Sequence, residues 1–219
     1  MNRSVFLTLF CLLLLVVILA LLGGIVVSGC MSRADSPKKP SPQTVHDFLS
    51  PDECTTVIRL AKSKGMARST VLDESRPVNS VRTSRGVFLS TEEPIVKRIF
   101  ARASKILDIP VDNFEQLQVV NYKPGQLYKA HHDSCFKCDS GKDLLRIATL
   151  LVYLNDDFEG GHTSFPHHGV SVKPVRGEAV MFWNMSDDQE LLDESLHEAE
   201  PVTKGEKWAC NIWVHGLPL

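Results

Sequence analysis

The chain has 219 residues, 24 Lys and Arg against 26 Asp and Glu, a formal net charge of -2, and 43% hydrophobic residues. That near-neutral balance, with no long basic run, argues against nucleic acid as a partner. No internal repeat is visible, and the roughly 180 residues beyond an apolar N-terminal stretch suffice for one domain with a sizeable core.

From Ser4 to Ser32 there is no charged residue, and Val5 to Val27 is almost wholly apolar. As a helix that stretch would reach about 35 Å, enough to cross a hydrocarbon core of roughly 30 Å. It exceeds the apolar region of a cleavable signal peptide, about 7–15 residues. Residues 1–32 are therefore expected to form a single-pass signal anchor in a membrane, although Val27-Ser28-Gly29-Cys30 also resembles a bacterial lipoprotein cleavage box. Residues 33–44, with Pro37, Pro40 and Pro42, read as an extended linker, and residues 45–219 as one domain.

Ser50-Pro51-Asp52-Glu53 combines an N-cap Ser, a Pro at the first helical position and a Glu placed to close a capping box. Val57, Leu60 and Ala61 follow at helical spacing, and Gly65 is a stop. A second helix is predicted from Ser90, with Ile95, Val96, Ile99, Phe100, Ala103, Ile106 and Leu107 forming one apolar face. Beyond Pro110 the period changes. Leu117–Tyr122, Ile147–Leu154, Val170–Val172, Ala179–Trp183 and Trp208–His215 are short β-rich runs separated by turn formers such as Pro124-Gly125 and Gly160-Gly161. Helices followed by many short strands predict an α+β domain with a jelly-roll core supported by N-terminal helices.

Six cysteines occur, and Cys135-Phe-Lys-Cys138 is the one close pair. With no second pair to complete a zinc site, it reads as a local disulfide or two thiols. Just before it stands His131-His132-Asp133, and far downstream His197. A His-X-Asp pair with one distant His is the donor set that holds non-haem Fe(II) while leaving coordination positions open. His131 and Asp133 would share one face of an extended strand, and His132 would point away. His162, His167 and His168 are rival third ligands, but they fall in a Gly- and Pro-rich loop, which favours His197. Lys207 would offer a cation at the start of a strand, where a dicarboxylate cosubstrate could dock. In that strand Lys207, Asn211, Trp213 and His215 share one face, while Cys210, Ile212 and Val214 share the other.

Five segments then carry a resemblance that spans Phe48 to His215. They are Val81–Leu89 (VRTSRGVFL), Asn121–Asp133 (NYKPGQLYKAHHD), Arg146–Leu154 (RIATLLVYL), Gly160–Pro166 (GGHTSFP) and Leu196–Trp208 (LHEAEPVTKGEKW). In this order they resemble a prolyl 4-hydroxylase of the 2-oxoglutarate/Fe(II) dioxygenase superfamily. The resemblance implies a double-stranded β-helix fold, Fe(II) held by His131, Asp133 and His197, and 2-oxoglutarate paired with Lys207 beside Thr163 and Tyr122. It places Tyr128, Arg146, Trp213 and His215 near a proline-rich or collagen-like peptide, and makes Arg82–Leu89 a mobile segment that closes over it. Hydroxylation at C4 of peptidyl proline, with release of succinate and CO2 and support from L-ascorbate, is the implied activity. Lys207 stands where related lysyl hydroxylases tend to carry Arg, which favours the prolyl branch. Another 2-oxoglutarate-dependent protein hydroxylase, or a non-catalytic peptide-binding jelly-roll, are the alternatives. Glu198-Ala199-Glu200 and the Cys135–Cys138 insertion depart from the family pattern. The resemblance also implies a location in the secretory lumen, including the endoplasmic reticulum, or on an extracytoplasmic face.

Overall fold

The computed structural model describes residues 39–69, 81–136 and 143–219. Helix α1 (Pro51–Lys64) starts as its sequence dictates. The Ser50 hydroxyl accepts from the Glu53 amide at 3.2 Å, and the Glu53 carboxylate accepts from the Ser50 amide at 2.9 Å. Gly65 ends it with φ 78°, a backbone conformation open to glycine. Helix α2 (Pro94–Leu107) begins later than the sequence predicts. Ser90 caps a turn instead: its carbonyl accepts from Glu93 N at 3.2 Å and its hydroxyl from Glu92 N at 3.1 Å. The helix waits for Pro94, whose fixed φ suits the first helical position. Arg102 of α2 donates two bonds to the Glu53 carboxylate, at 3.0 and 3.1 Å, and so ties the helices together.

The strands are β1 (Gln43–Val45), β2 (Ala67–Arg68), β3 (Arg85–Leu89), β4 (Leu117–Tyr122), β5 (Tyr128–His131), β6 (Arg146–Tyr153), β7 (Glu159–Gly160), β8 (Thr163–Phe165), β9 (Val170–Val172), β10 (Ala179–Trp183), β11 (His197–Ala199), β12 (Val202–Lys204) and β13 (Lys207–His215). A large sheet runs β1-β10-β6-β13-β4-β3-β2, a smaller one β5-β11-β8-β9, and β12 pairs β7. Every pairing is antiparallel. The expected jelly-roll with two supporting helices is what forms. Gln43 and Thr44, expected in the linker, are instead edge-strand residues paired with β10.

The two faces of the large sheet do different work. Leu117 and Val119 of β4, Leu150 and Val152 of β6, and Cys210, Ile212 and Val214 of β13 are wholly buried in one core with Val57, Ala61, Val96 and Ile99 of the helices. Val120 and Tyr122, Leu151 and Tyr153, and Ala209 point the other way into a second core with Phe165 and Val202. The period of two along each strand separates scaffold from site.

The expected membrane localisation is corrected. Among the described residues no helix is long and apolar enough to cross a membrane. Helices α1 and α2 have 14 residues each, about 21 Å of helix against a hydrocarbon core of roughly 30 Å. The expected anchor, residues 1–32, lies outside the described residues. The signal anchor and the secretory or extracytoplasmic location therefore have no structural support.

Candidate active site

His131 is the last residue of β5 and His197 the first of β11, and the two are paired across the sheet. Asp133 sits in a bend just past the end of β5, not on the strand as expected, and the bend carries its carboxylate to the same point. One donor atom of each lies within 4.8 Å of the other two. Nε2 of His131 is 3.6 Å from Asp133 Oδ1, and Nε2 of His197 is 3.8 Å from Oδ2. Both rings are oriented from behind. His131 Nδ1 donates to Lys129 O at 2.8 Å, and His197 Nδ1 donates to Ser195 O at 2.9 Å. A carbonyl can only accept, so each Nδ1 carries a proton, and each Nε2 is the nitrogen turned toward Asp133. Burial, with the neighbouring His131, pushes His197 down to about 4, so it is neutral near pH 7.

Asp133 is buried, and burial alone would oppose its ionisation. The neighbouring His197, His131 and Arg146 outweigh that and hold its carboxyl far below the usual range. Its Oδ2 accepts from Thr149 Oγ1 at 2.8 Å and from Trp213 Nε1 at 3.0 Å. The donor set is thus two imidazole nitrogens and one carboxylate, with second ring nitrogens and one carboxylate oxygen already bonded. Those residues fit Fe(II). His132 turns away as expected, its Nδ1 bonded to Ser195 Oγ at 3.0 Å. His162 bonds toward Ser171 at 3.4 Å and joins no metal-ligand cluster among the described residues, nor do His167 and His168.

The three ligand candidates line a pocket of about 420 Å³ that Lys207 lines as well. Lys207 is 1% exposed, and its Nζ donates to Gly161 O at 2.7 Å. No carboxylate of the described residues lies within ion-pair distance of it. Burial pushes its ammonium down to about 7, the environment of a cation awaiting an anion. Gly161 must be glycine for this contact: with φ +64°, a Cβ there would meet Lys207 Cδ at 3.2 Å and Phe158 at 3.1 Å. The rings of Tyr122 and Tyr153 flank the ammonium, centroids 5.6 and 5.5 Å away. Tyr153 OH donates to Thr163 Oγ1 at 2.8 Å, which leaves the Thr163 hydrogen free for a second acceptor. Burial raises the hydroxyls of Tyr122 and Tyr153 above their usual range, so both remain protonated donors.

Tyr128, also in the pocket lining, stacks on His131 with ring centroids 3.5 Å apart, and the Arg82 guanidinium lies over its ring at 4.6 Å. Burial pushes the Tyr128 hydroxyl up to about 12. The Arg146 guanidinium lies 3.4 Å above the Trp213 ring and grips Glu115 with two nitrogens, one at 2.8 Å. His215 Nε2 meets the same carboxylate at 2.8 Å. Burial disfavours the Glu115 charge, but these two partners outweigh it and keep the carboxyl below its normal range. Within Arg82–Leu89, Arg82 donates to Gln118 at 3.0 Å and Arg85–Leu89 is strand β3, hydrogen-bonded along β4.

The structure thus brings His131, Asp133, His197, Lys207, Tyr122, Thr163, Tyr128 and Trp213 around one pocket; Arg146 and His215 do not line it, and Arg146 reaches it through its contact with Trp213. Sequence reasoning missed Glu115, Thr149, Tyr153, Asn184 and Ser195. Each is a common residue type whose role arises from contacts across strands, and the sole sequence hint is the β-period that turns Thr149 and Tyr153 to the pocket side of β6. Cys135 is disulfide-bonded, and its backbone exchanges two hydrogen bonds with Leu144 at 3.0 and 2.9 Å. Cys138 lies outside the described residues.

Comparison with known proteins agrees with this geometry. The sequence profile of the 2OG-Fe(II) oxygenase superfamily matches residues 117–215, from β4 to the end of β13. The chain is 38% identical over 181 residues to a putative prolyl 4-hydroxylase of Acanthamoeba polyphaga mimivirus, covering 78% of this chain and 73% of that protein. It is 40% identical over 192 residues to prolyl 4-hydroxylase 1 of Arabidopsis thaliana, covering 78% of this chain and 67% of that one. The crystal structure of a viral collagen prolyl hydroxylase from Paramecium bursaria Chlorella virus-1, in complex with 2-oxoglutarate, superimposes with a TM-score of 0.66 at 31% identity, over 80% of this chain and 96% of that chain. The enzyme is therefore an oxidoreductase that uses Fe(II) and 2-oxoglutarate, with ascorbate typical of its kind. By these relationships the chain belongs to the prolyl 4-hydroxylases of the 2-oxoglutarate/Fe(II)-dependent dioxygenase superfamily.

Proposed function

We propose that residues 45–219 form a catalytic domain that hydroxylates C4 of proline in extended, proline-rich or collagen-like peptides. The observation that carries this reading is that one pocket is lined both by a cluster of two imidazoles and a carboxylate and by a buried lysine with no ion-pair partner among the described residues. When bound, Fe(II) with 2-oxoglutarate and O2 supplies an oxidant that inserts oxygen into a C–H bond, releasing succinate and CO2. His131, Asp133 and His197 would hold the iron, their geometry fixed by Lys129, Ser195, Thr149 and Trp213. Lys207 would bind the distal carboxylate of 2-oxoglutarate as an ion pair, with the Thr163 hydroxyl as second donor and Tyr122 and Tyr153 walling out water.

Tyr128, Arg146, Trp213 and His215 would form the peptide groove. Flat rings and fixed hydrogen-bonding groups suit a polyproline II chain, whose backbone is already extended and loses little entropy on binding. A collagen prolyl hydroxylase among the solved relatives supports the substrate class. Succinate release and a gain of one oxygen on proline, measured by mass spectrometry over a peptide panel with Fe(II) and 2-oxoglutarate, test the assignment. Oxygen on lysine, or a preference for free proline, would overturn it.

A further inference from the structure

Behind the carboxylate of Asp133 lies a chain of buried polar side chains that reaches no surface. Thr149 is 1% exposed and Asn184 is wholly buried. Asn184 Nδ2 donates to Thr149 Oγ1 at 2.9 Å, and Thr149 Oγ1 donates to Asp133 Oδ2 at 2.8 Å. The direction of this chain is forced. A carboxylate only accepts, so the single hydroxyl hydrogen of Thr149 is committed to Asp133, and any neighbour at 2.9 Å must present a donor. Only the amide end of Asn184 can do so. Its carbonyl oxygen Oδ1 is buried and finds no partner among the described residues.

An orphaned buried carbonyl is unfavourable and asks for a reason. Turning the carboxamide over would not remove the defect, because the Asn184 oxygen would then either face the Thr149 oxygen with no hydrogen between them or draw the Thr149 hydrogen away from Asp133. The backbone of Asn184 is also held, its N–H on Ile147 O at 2.9 Å and its carbonyl on Leu192 N at 2.9 Å. Asn184 is thus a fixed donor pointing at one hydroxyl. With Thr149 and Trp213 both on Oδ2, that oxygen is occupied, and Oδ1, 3.6 Å from His131 Nε2, is left for a metal.

We propose that Asn184 and Thr149 are positioning residues for the iron. Asn184 sets the direction of the Thr149 hydroxyl, Thr149 and Trp213 occupy Oδ2, and Asp133 would therefore offer the iron one oxygen, Oδ1. This rests on the reading of His131, Asp133 and His197 as the ligands.

Co(II) binding to the purified chain tests it, since the visible absorption of Co(II) reports coordination number without turnover. Thr149→Val keeps the shape and removes the hydroxyl. It is expected to weaken Co(II) binding by roughly 10–100-fold, the usual range when the partner of a metal ligand is lost, and to shift the visible bands as Oδ2 joins the metal. Thr149→Ser is expected to restore both. Asn184→Ala should weaken binding in the wild-type background and have no further effect in Thr149→Val, because it acts through that hydroxyl. Asn184→Asp, an isosteric change that puts an acceptor where the donor stood, gives a second arm with the same expected loss. Equal Co(II) binding by wild type and His197→Ala would overturn the ligand reading itself. Loss in His197→Ala with wild-type spectrum and affinity in Thr149→Val and Asn184→Asp would overturn the relay alone.

Discussion

Trp213 and Asp133 are joined by a single hydrogen bond, indole Nε1 to carboxylate Oδ2 at 3.0 Å, so the wall of the groove and the candidate metal ligand are one unit. Trp213 therefore does more than line a peptide site, the role its family resemblance suggests. Trp213→Phe retains an aromatic face under Arg146 and removes only the N–H. A hydrogen bond to a charged group contributes about 1.5–3 kcal/mol, so metal affinity and the uncoupled decarboxylation of 2-oxoglutarate are both expected to fall. Anaerobic Fe(II) titration with single-turnover succinate assays checks this. Loss of peptide hydroxylation with unchanged iron affinity would refute the coupling.

Each of His131→Ala, Asp133→Ala and His197→Ala is expected to abolish turnover and bound iron, since two remaining donors hold Fe(II) poorly. His162→Ala and His168→Ala are expected to keep both, because neither ring reaches the cluster. Iron content and succinate release across the five variants decide the matter. A fully active His197→Ala enzyme would sink the assignment.

Lys207→Met is expected to raise the 2-oxoglutarate requirement by about 2–5 kcal/mol, the usual cost of truncating one partner of a buried charge pair. The pH dependence has a definite sign. Burial lowers Lys207 from 10.5 to about 7 in the free protein, while the unfolded chain keeps the higher value. Between those values the unfolded chain holds a proton the folded one has shed, so this group adds stability as pH rises through that window. A bound carboxylate favours the ammonium, so cosubstrate binding above pH 7 takes up a proton and weakens as pH rises. Calorimetry at pH 8 in two buffers of different ionisation enthalpy is expected to show that uptake in wild type and none in Lys207→Met. Equal uptake by both would refute it.

Glu115→Gln is expected to loosen Arg146 and His215, which share its carboxylate. The apparent KM for a poly-proline peptide should rise several-fold, while peptide-free 2-oxoglutarate decarboxylation changes little. Steady-state kinetics with and without peptide separate the two, and a KM unchanged within error would count against a role for this network in the groove.

Much of the scaffold was legible because it depends on local pattern. Ser50 and Glu53 announce a capping box three residues apart, and β4, β6, β10 and β13 carry β-rich runs long enough to read. The start of α2 was misread because Ser90 and Glu93 mimic the same box, whereas Pro94 sets the true first turn. Strands of two or three residues, such as β7, β11 and β12, are too short to show a period and exist through pairing with distant partners. The same holds at the site. His131, Asp133 and His197 are rare residue types in a recognisable order. Asn184 and Thr149, by contrast, are ordinary residues whose meaning comes from a 2.9 Å contact across 35 positions of sequence.

The alternation along β13 makes the enzyme unusually sensitive to reading frame within that strand. Ala209, Asn211 and Trp213 face the pocket, and Cys210, Ile212 and Val214 face the helices. A one-residue insertion or deletion would exchange the two sets, driving an indole and an amide into the helix-facing core and a thiol and aliphatic groups into the pocket. Cross-strand pairing to both β4 and β6 resists absorbing such a slip by sliding. Substitutions, however, can be made on one side with little consequence for the other. Directed evolution of peptide preference is therefore best confined to point changes at the pocket-facing positions, with strand length held constant.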